Sequence, residues 1–198
     1  MLEREIKLLC PGVEEARAAV AAAGASPLRC RRLQEDALFD TLDESLRRRG
    51  CSLRIRSESG HSLLTMKGPT RPGLVTIREE HETIVGDGEV LAAVLQALGL
   101  QVWFRYQKYR EEFAAEDVVI AVDETPIGTF LEIEGSEAGI LTMTRALGRS
   151  PADFILDSYW TLFNARSRQF GLTGACMEFA DAALNGGTLS ERSEPKGE

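Results

Sequence analysis

Polar and apolar residues alternate along much of the first 135 residues, and this period of two predicts β-strands. In segment 2–8, Glu3, Glu5 and Lys7 fall on one face, while Ile6 and Leu8 fall on the other. Comparable alternation occurs at 36–41, 51–57, 62–68, 73–84, 102–114, 117–123 and 129–135. The chain is therefore predicted to contain about eight strands.

The segments between and after these strands predict helices. Amphipathic spacing indicates helices at 12–24 and 87–99, and further helices are predicted at about 137–148 and 157–169. Segment 43–50 predicts a short helix with Asp43 as its N-cap and Gly50 as its stop. No repeat or linker divides the chain, so we expect one domain over 1–185. The polar tail 186–198 is predicted to be disordered.

The polar faces of the predicted strands carry charges of both signs. For any single strand, a solvated outer face explains the alternation as well. If the strands instead close into an eight-stranded antiparallel β-barrel with helices packed on the outside, an α+β fold, the charged rows meet in a tunnel. The acidic side chains of these rows are Glu3, Glu5, Glu80, Glu82, Glu132 and Glu134. The basic ones are Lys7, Arg54, Arg56, Lys67, Arg78, Lys108 and Arg110.

Such a tunnel predicts a charged ligand. Burying an unpaired ion costs several kcal/mol, on the order of the stability of a domain, so the tunnel must hold water, metal ions or a charged guest. Guanidinium and ammonium groups suit phosphate oxygens, and paired carboxylates suit Mg²⁺ or Mn²⁺. The combination indicates a site for a polyphosphate and its metal ions.

Composition limits the other functions. The chain has 198 residues, of which 43% are hydrophobic, and no apolar stretch has the length of a membrane span or a secretory signal. We therefore expect a cytoplasmic protein without membrane contact. The formal charge of -8 argues against general nucleic-acid binding, and the four cysteines form no metal-binding pattern. A homodimer is compatible with the sequence, but no stripe of residues requires one.

A series of motifs carries a more specific signal. In order they are Glu3-x-Glu5-x-Lys7, Gln34-x-Asp36-x-x-Phe39-Asp40-Thr41, Leu53-Arg54-Ile55-Arg56, Thr65-Met66-Lys67-Gly68, Arg78-x-Glu80-x-Glu82, Lys108-x-Arg110, Val122-Asp123 and Phe130-x-Glu132-Ile133-Glu134. Over about 1–165 this order resembles the CYTH domain, also called the triphosphate tunnel metalloenzyme fold. The family groups class IV adenylate cyclases, thiamine triphosphatases and inorganic triphosphatases.

The resemblance implies a role for each charged position. It implies that the phosphates are bound by Lys7, Arg54, Arg56, Lys67, Lys108 and Arg110, with Arg78 in the ionic lining. It implies that Mg²⁺ or Mn²⁺ is held by Glu3, Glu5, Glu132 and Glu134, with Glu80, Glu82 and Asp123 nearby. Glu5, Lys7 and Arg56 are the predicted catalytic residues.

The reaction stays open between three hypotheses. We favour metal-dependent hydrolysis of tripolyphosphate or of a nucleoside or other organic triphosphate. The alternatives are a class IV adenylate cyclase, which makes cyclic AMP and pyrophosphate from ATP, and a polyphosphate-binding module without catalysis. Ser158-Tyr159 resembles the cyclase branch, whereas segment 39–50 resembles the inorganic triphosphatases.

A nucleoside would need an aromatic or apolar pocket at the tunnel mouth. Phe39, Phe104, Tyr106 and Phe130 are the candidates, although aromatic residues in strands more often serve packing.

Overall fold

The computed structural model describes residues 1–170, 174 and 176–180. Eight antiparallel strands lie in the order β2-β3-β4-β5-β1-β8-β7-β6, and pairing of β6 with β2 closes the barrel. The strands are β1 Leu2–Cys10, β2 Ser26–Thr41, β3 Ser52–Glu58, β4 His61–Lys67, β5 Thr76–Val85, β6 Leu100–Ala115, β7 Val118–Thr125 and β8 Gly128–Gly135. The predicted α+β barrel is confirmed.

Helices connect and cover the strands. They are α1 Val13–Ala22, α2 Ser45–Arg48, α3 Gly88–Ala97, α4 Glu137–Ala146 and α5 Tyr159–Arg166. Short 3₁₀ turns follow at Pro151–Asp153 and Ser167–Phe170. Within the described ranges, no helix combines the length and apolar character needed to cross a membrane.

The main core lies between the outer side of the barrel wall and the helices. Ile6 of β1, Ile120 of β7 and Ile133 of β8 are fully buried there. They belong to one apolar cluster with Val20 of α1 and Ile140 of α4. Each buried aliphatic side chain contributes about 1.5–3 kcal/mol. Because the apolar face of each strand points outward to the helices, the charged face must point into the barrel.

Strand β2 is longer than its sequence pattern predicts. It begins at Ser26 rather than near residue 36, and it pairs with β6 along most of its length. The pairing register shifts between Pro27 and Arg29 and again between Arg29 and Arg32. Such bulges break the alternation of side chains, so the first half of β2 lacks a readable period. A short ninth strand, β9 Cys176–Met177, pairs in parallel with β6 and was not predicted.

The prediction that Asp43 caps α2 is wrong. The N-cap residue is Glu44, whose φ of 59° makes its backbone left-handed, and no side chain of the cap residue closes the turn. Instead the buried carboxylate of Asp40, at the end of β2, accepts hydrogen bonds from the amides of Leu46 (2.9 Å) and Arg47 (3.0 Å). Gly50 ends this helix as predicted, with a φ of +71°. The predicted disordered tail, 186–198, lies outside the described residues.

Candidate functional site

A cavity of about 810 Å³ lies inside the barrel. The strand pairing brings acids and bases of neighbouring strands to its wall, for example Glu3 beside Arg78 and Lys7 beside Glu132. Of the charged residues predicted for the site, those that line the cavity are Glu3, Glu5, Lys7, Arg54, Arg56, Lys67, Arg78, Glu80, Glu82, Lys108, Arg110, Glu132 and Glu134. The structure therefore joins these side chains in one space, as the closed barrel requires.

The residues of the N-terminal motif form a dense ionic network. Arg78 donates to Glu3 Oε2 (2.9 Å) and to Glu5 Oε1 (3.2 Å), so it bridges the two carboxylates. Lys7 donates to Glu5 Oε1 (3.1 Å), and Lys67 donates to Glu3 Oε1 (2.5 Å). Burial alone would lower the pKa of Lys7, but the charges of Glu5 and Glu132 outweigh it and raise that pKa. Lys7 is therefore a permanent cation in the cavity.

Glu134 differs from the other carboxylates of β1 and β8. It faces Glu5 across the two strands, and among the described residues it takes part in no ion pair within 4.0 Å. Burial and the nearby charges of Glu3 and Glu132 raise the pKa of Glu134 to about 7. A carboxylate that is crowded by other carboxylates and lacks a basic partner favours the approach of a cation.

The donor set on β1 and β8 fits a hard divalent cation. Glu3, Glu5, Glu132 and Glu134 offer only carboxylate oxygens, which are the ligands that Mg²⁺ and Mn²⁺ prefer. As the side chains stand, no three acidic, histidine or cysteine residues in the described part converge as a metal site. These carboxylates do not converge because Glu3 and Glu5 point towards Lys7, Lys67 and Arg78.

Asp123 does not line the cavity itself but lies on the inner face of β7, directly opposite Arg110, and is covered by the side chains that bind it. Its fully buried carboxylate accepts hydrogen bonds from Lys108 Nζ (2.8 Å), Arg110 Nε (2.7 Å) and the hydroxyl of Tyr159 (2.7 Å). Burial would raise the pKa of Asp123, but Arg110 and Lys108 lower it to about 2. This position favours an anchor for the two cations over the predicted place beside the metal.

Lys108 differs from Lys7, Arg54, Arg78 and Arg110 in that its pKa is lowered rather than raised. Burial and the neighbouring Arg110 lower its pKa to about 8, although Asp123 and Glu132 oppose this. Its ammonium group also lies 4.9 Å from the ring centroid of Tyr159. Lys108 therefore remains mostly charged at neutral pH but titrates within an accessible range.

Asp36 contributes to the site although its motif, Gln34-x-Asp36, predicted no role for it. Arg56 donates to both of its oxygens, at 2.9 and 3.1 Å, and Arg54 Nε lies 3.3 Å from Oδ1. Burial opposes ionisation, but Arg56 and Arg54 lower the pKa of Asp36. No signal in the sequence identified this role, because it depends on the strand register that sets Asp36 directly opposite Arg56 on β3.

We expect Asp36→Asn to cost about 2 kcal/mol of stability at neutral pH, because it weakens the charge-assisted hydrogen bonds from Arg56 and removes the ion pair with Arg54. Since the pKa of Asp36 is lowered in the folded state, its contribution is present above the ordinary value of 3.8 and is lost as the pH falls through the folded value. Urea unfolding of wild type and variant across this range measures the difference. Glu35→Gln, on the exposed side of β2, is the control. A pH-independent difference would contradict the assignment.

Aromatic side chains gather at one end of the cavity, where Trp103, Phe104, Tyr106 and Trp160 line it. The rings of Trp160 and Phe104 have their centroids 4.8 Å apart. The other two predicted aromatic candidates, Phe39 and Phe130, do not line the cavity.

Phe39 is buried away from the cavity, because it lies on the outer face of β2, opposite Leu53, while Leu38 opposite Arg54 points inward. Phe130 packs against the ring of Tyr159, with 5.7 Å between the centroids. Ser158 caps α5 by accepting from the amide of Thr161. Both Phe39 and Phe130 therefore serve packing.

The fold defines a class of proteins, the closed eight-stranded β-barrels whose interior carries paired cations and carboxylates. The model of the CYTH domain matches residues 1–155. The chain belongs to the CYTH family.

Several relatives support this membership. The chain is 31% identical over 143 residues, 67% of this chain and 82% of the relative, to "Putative adenylate cyclase MJ0240" of Methanocaldococcus jannaschii. The PH1819 protein of Pyrococcus horikoshii superimposes with a TM-score of 0.72 at 25% identity, covering 82% of this chain and 98% of that one. An adenylyl cyclase-named protein of Hippeastrum, HpAC1, described as having a dominant triphosphatase activity, has a TM-score of 0.62 at 18% identity, with 87% and 97% covered.

Proposed function

We propose that the protein is a divalent-metal-dependent triphosphatase that hydrolyses inorganic triphosphate or a nucleoside or other organic triphosphate inside the barrel. The observation that carries the proposal is the arrangement of the cavity wall. Cations of β3, β4 and β6 stand across from paired carboxylates of β1 and β8. A triphosphate carries both the anionic oxygens that the first group recognises and the metal ions that the second group suits.

Two buried acids hold the four cations that we propose bind the phosphates. We call these cations, Arg54, Arg56, Lys108 and Arg110, the phosphate grip. Asp36 orients Arg54 and Arg56, and Asp123 orients Lys108 and Arg110. Because each guanidinium or ammonium group keeps unused N–H donors, it can bind a phosphate oxygen without leaving its anchor. Preorganised donors of this kind stabilise charge in the transition state without reorganisation, which is the main contribution to phosphoryl transfer.

In the proposed reaction, water attacks the terminal phosphorus, the bridging P–O bond breaks and the remaining diphosphate leaves, so that the attacked phosphoryl group is released as orthophosphate. Lys7 and Arg56 would neutralise charge on the oxygens of the reacting phosphate, and Glu5 would take part in holding the cation. Mg²⁺ or Mn²⁺ held by Glu3, Glu5, Glu132 and Glu134 would supply further neutralisation and acidify a bound water. Arg78 keeps Glu3 and Glu5 at a fixed separation through its two hydrogen bonds.

Product analysis tests the proposal directly. The purified protein is incubated with tripolyphosphate, ATP or thiamine triphosphate, each with Mg²⁺ or Mn²⁺ and with EDTA as the control. We expect metal-dependent release of orthophosphate. Cyclic AMP with pyrophosphate from ATP would support a cyclase instead. Tight binding of tripolyphosphate without any product would support a binding module.

The second candidate is an adenylate cyclase, and the aromatic end of the cavity favours it. Trp103, Phe104 and Trp160 form an edge-to-face cluster of rings beside the phosphate grip, where a nucleobase could lie. The relative from Methanocaldococcus jannaschii carries a cyclase name. In that reaction the 3′-hydroxyl of ATP would attack the α-phosphorus, and pyrophosphate would leave.

Trp160→Ala separates nucleotide from inorganic substrates. If a base stacks on this ring, we expect kcat/KM for ATP to fall about tenfold, since one base–aromatic stack is worth about 1–3 kcal/mol. Turnover of tripolyphosphate should change much less, because that substrate has no base. Phe170→Ala, an exposed aromatic outside the cavity, is the matched control. Equal losses with both substrates would argue against a base at this end.

A further inference from the structure

A second charged cluster lies at the end of the cavity opposite the aromatic rings. Along the paired strands β2 and β6 the register runs from Leu38 beside Phe104 to Arg29 beside Glu112, a distance of about 25 Å. Arg29, Arg32, Gln34, Glu58 and Glu112 line this far end of the cavity. We call these five residues the far-end cluster. None of them belongs to the phosphate grip or to the proposed metal-binding carboxylates of β1 and β8.

Glu58 is the centre of the far-end cluster. Arg29 Nη2 donates to Glu58 Oε1 (2.6 Å), Arg32 Nε lies 2.7 Å from the same oxygen, and Gln34 donates to Oε2. Burial opposes its ionisation, but Gln34, Arg32 and Arg29 lower the pKa of Glu58. A single carboxylate therefore occupies the place at which two guanidinium groups and an amide converge.

Two buried N–H donors of Arg32 lack well-directed hydrogen bonds. Its Nε and Nη2 atoms are buried and lie within ion-pair distance of Glu58 and Glu112 (2.8 Å), yet neither makes a well-directed hydrogen bond in the described structure. Nη1 makes only long bonds, of 3.3 and 3.4 Å, to the carbonyls of Cys30 and Arg110. Buried donors without aligned acceptors are costly and favour an additional acceptor.

Three arginines lie along the path from the phosphate grip to the surface, and Glu58 and Glu112 pair with two of them. Arg32 stands opposite Arg110 in the strand register, and Arg29, with 55% of its side chain exposed, reaches solvent. Arg110, Arg32 and Arg29 thus form a series of guanidinium groups from the buried grip to the outside.

We propose that Arg29 and Arg32 form a second anion site, for an orthophosphate-sized oxyanion, in which Glu58 is the internal competitor that the anion displaces. A tetrahedral oxyanion offers acceptors in several directions, so it can align with both guanidinium groups, whereas Glu58 is aligned with Arg29 but not with Arg32. The existence of this anion site depends only on the geometry described above. In an active triphosphatase, orthophosphate would leave the barrel through it, and this role rests on the proposed function.

Binding of inorganic phosphate in EDTA, measured by isothermal titration calorimetry, tests the site without any need for turnover. We expect Glu58→Gln to bind phosphate about tenfold more tightly than wild type, because the competing charge is removed while the amide keeps the shape. Arg29→Ala should bind it about tenfold more weakly. Because Arg29 is half exposed, this variant should fold even if Glu58→Gln does not.

The matched control is Arg31→Ala on the same strand. Its guanidinium lies on the outer side, stacked 3.6 Å over the ring of Tyr109 and paired with Glu124, so phosphate binding should not change. Equal phosphate affinity in wild type, Glu58→Gln and Arg29→Ala would overturn the proposal, as would an equal loss in Arg31→Ala and Arg29→Ala. If the expected changes occur in a protein that hydrolyses no triphosphate, the anion site stands and the proposed function fails.

Discussion

Replacing Glu5 with glutamine is expected to reduce triphosphate turnover by at least about a hundredfold while the protein stays folded. Glu5 is buried in the cavity, faces Glu134 across β1 and β8, and accepts from Lys7 and Arg78. The change removes one negative charge from the proposed metal-binding set. The apolar outer face of β1, which carries Ile6, is untouched, so the core remains intact.

Separate changes in kcat and KM show whether the loss of turnover in Glu5→Gln comes from the metal site or from substrate binding. Without the charge of Glu5, Lys7 and Arg78 keep their positive charges, so the affinity for the anionic substrate should hold or increase while kcat falls. Steady-state kinetics across a range of Mg²⁺ and Mn²⁺ concentrations measures both. Glu79→Gln is the matched control, because Glu79 is exposed on the neighbouring strand β5 and pairs only with the exposed Arg71 among the described residues. Full activity in Glu5→Gln would exclude the proposed metal role.

Replacing Asp123 with asparagine is expected to destabilise the protein by about 3–5 kcal/mol, because it leaves two buried cations without their shared anion. Asp123 is the fully buried acceptor for Lys108, Arg110 and the hydroxyl of Tyr159. An amide offers one acceptor oxygen and brings its own donors towards these groups. The pKa of Lys108, already lowered to about 8, should fall further without the charge of Asp123.

Urea unfolding at neutral pH measures the loss, and triphosphate binding by the folded fraction reports on the grip. Glu124→Gln is the control, since Glu124 is the next residue along β7 and makes a partly exposed pair with Arg31. A loss of less than about 1 kcal/mol, which is typical of a surface ion pair, would show that Asp123 is not the anchor of the grip.

The alternation of residues predicted the strands and which row of each is charged, and the charges of both signs on those rows favoured closure into a barrel. In strands such as β1, apolar Ile6 and Leu8 alternate with Glu5 and Lys7, and burying the apolar row forces the charged row to the other side. The motif order added the family, which the match over residues 1–155 shows. The individual roles of the charged residues remain predictions that the variants above test.

Other parts of the site had no readable pattern. The first half of β2 contains two register shifts, so nothing in its sequence shows that Arg29 and Arg32 line the cavity while Arg31 does not. Leu38 rather than Phe39 lines the cavity, because Leu38 lies on the same face of β2 as Gln34 and Asp36. Asp123 carried the expected motif, but its place behind Lys108 and Arg110 depends on contacts between strands.

By itself the amino-acid sequence determined which face of each strand is charged, because side-chain direction in a strand follows from a period of two. Only the tertiary structure decided which acid meets which base. Glu3 and Lys67 lie 64 positions apart along the chain, yet their charged atoms lie 2.5 Å apart. Such pairings depend on strand order, register and bulges, which are set by the packing of the whole barrel and leave no local trace in the chain.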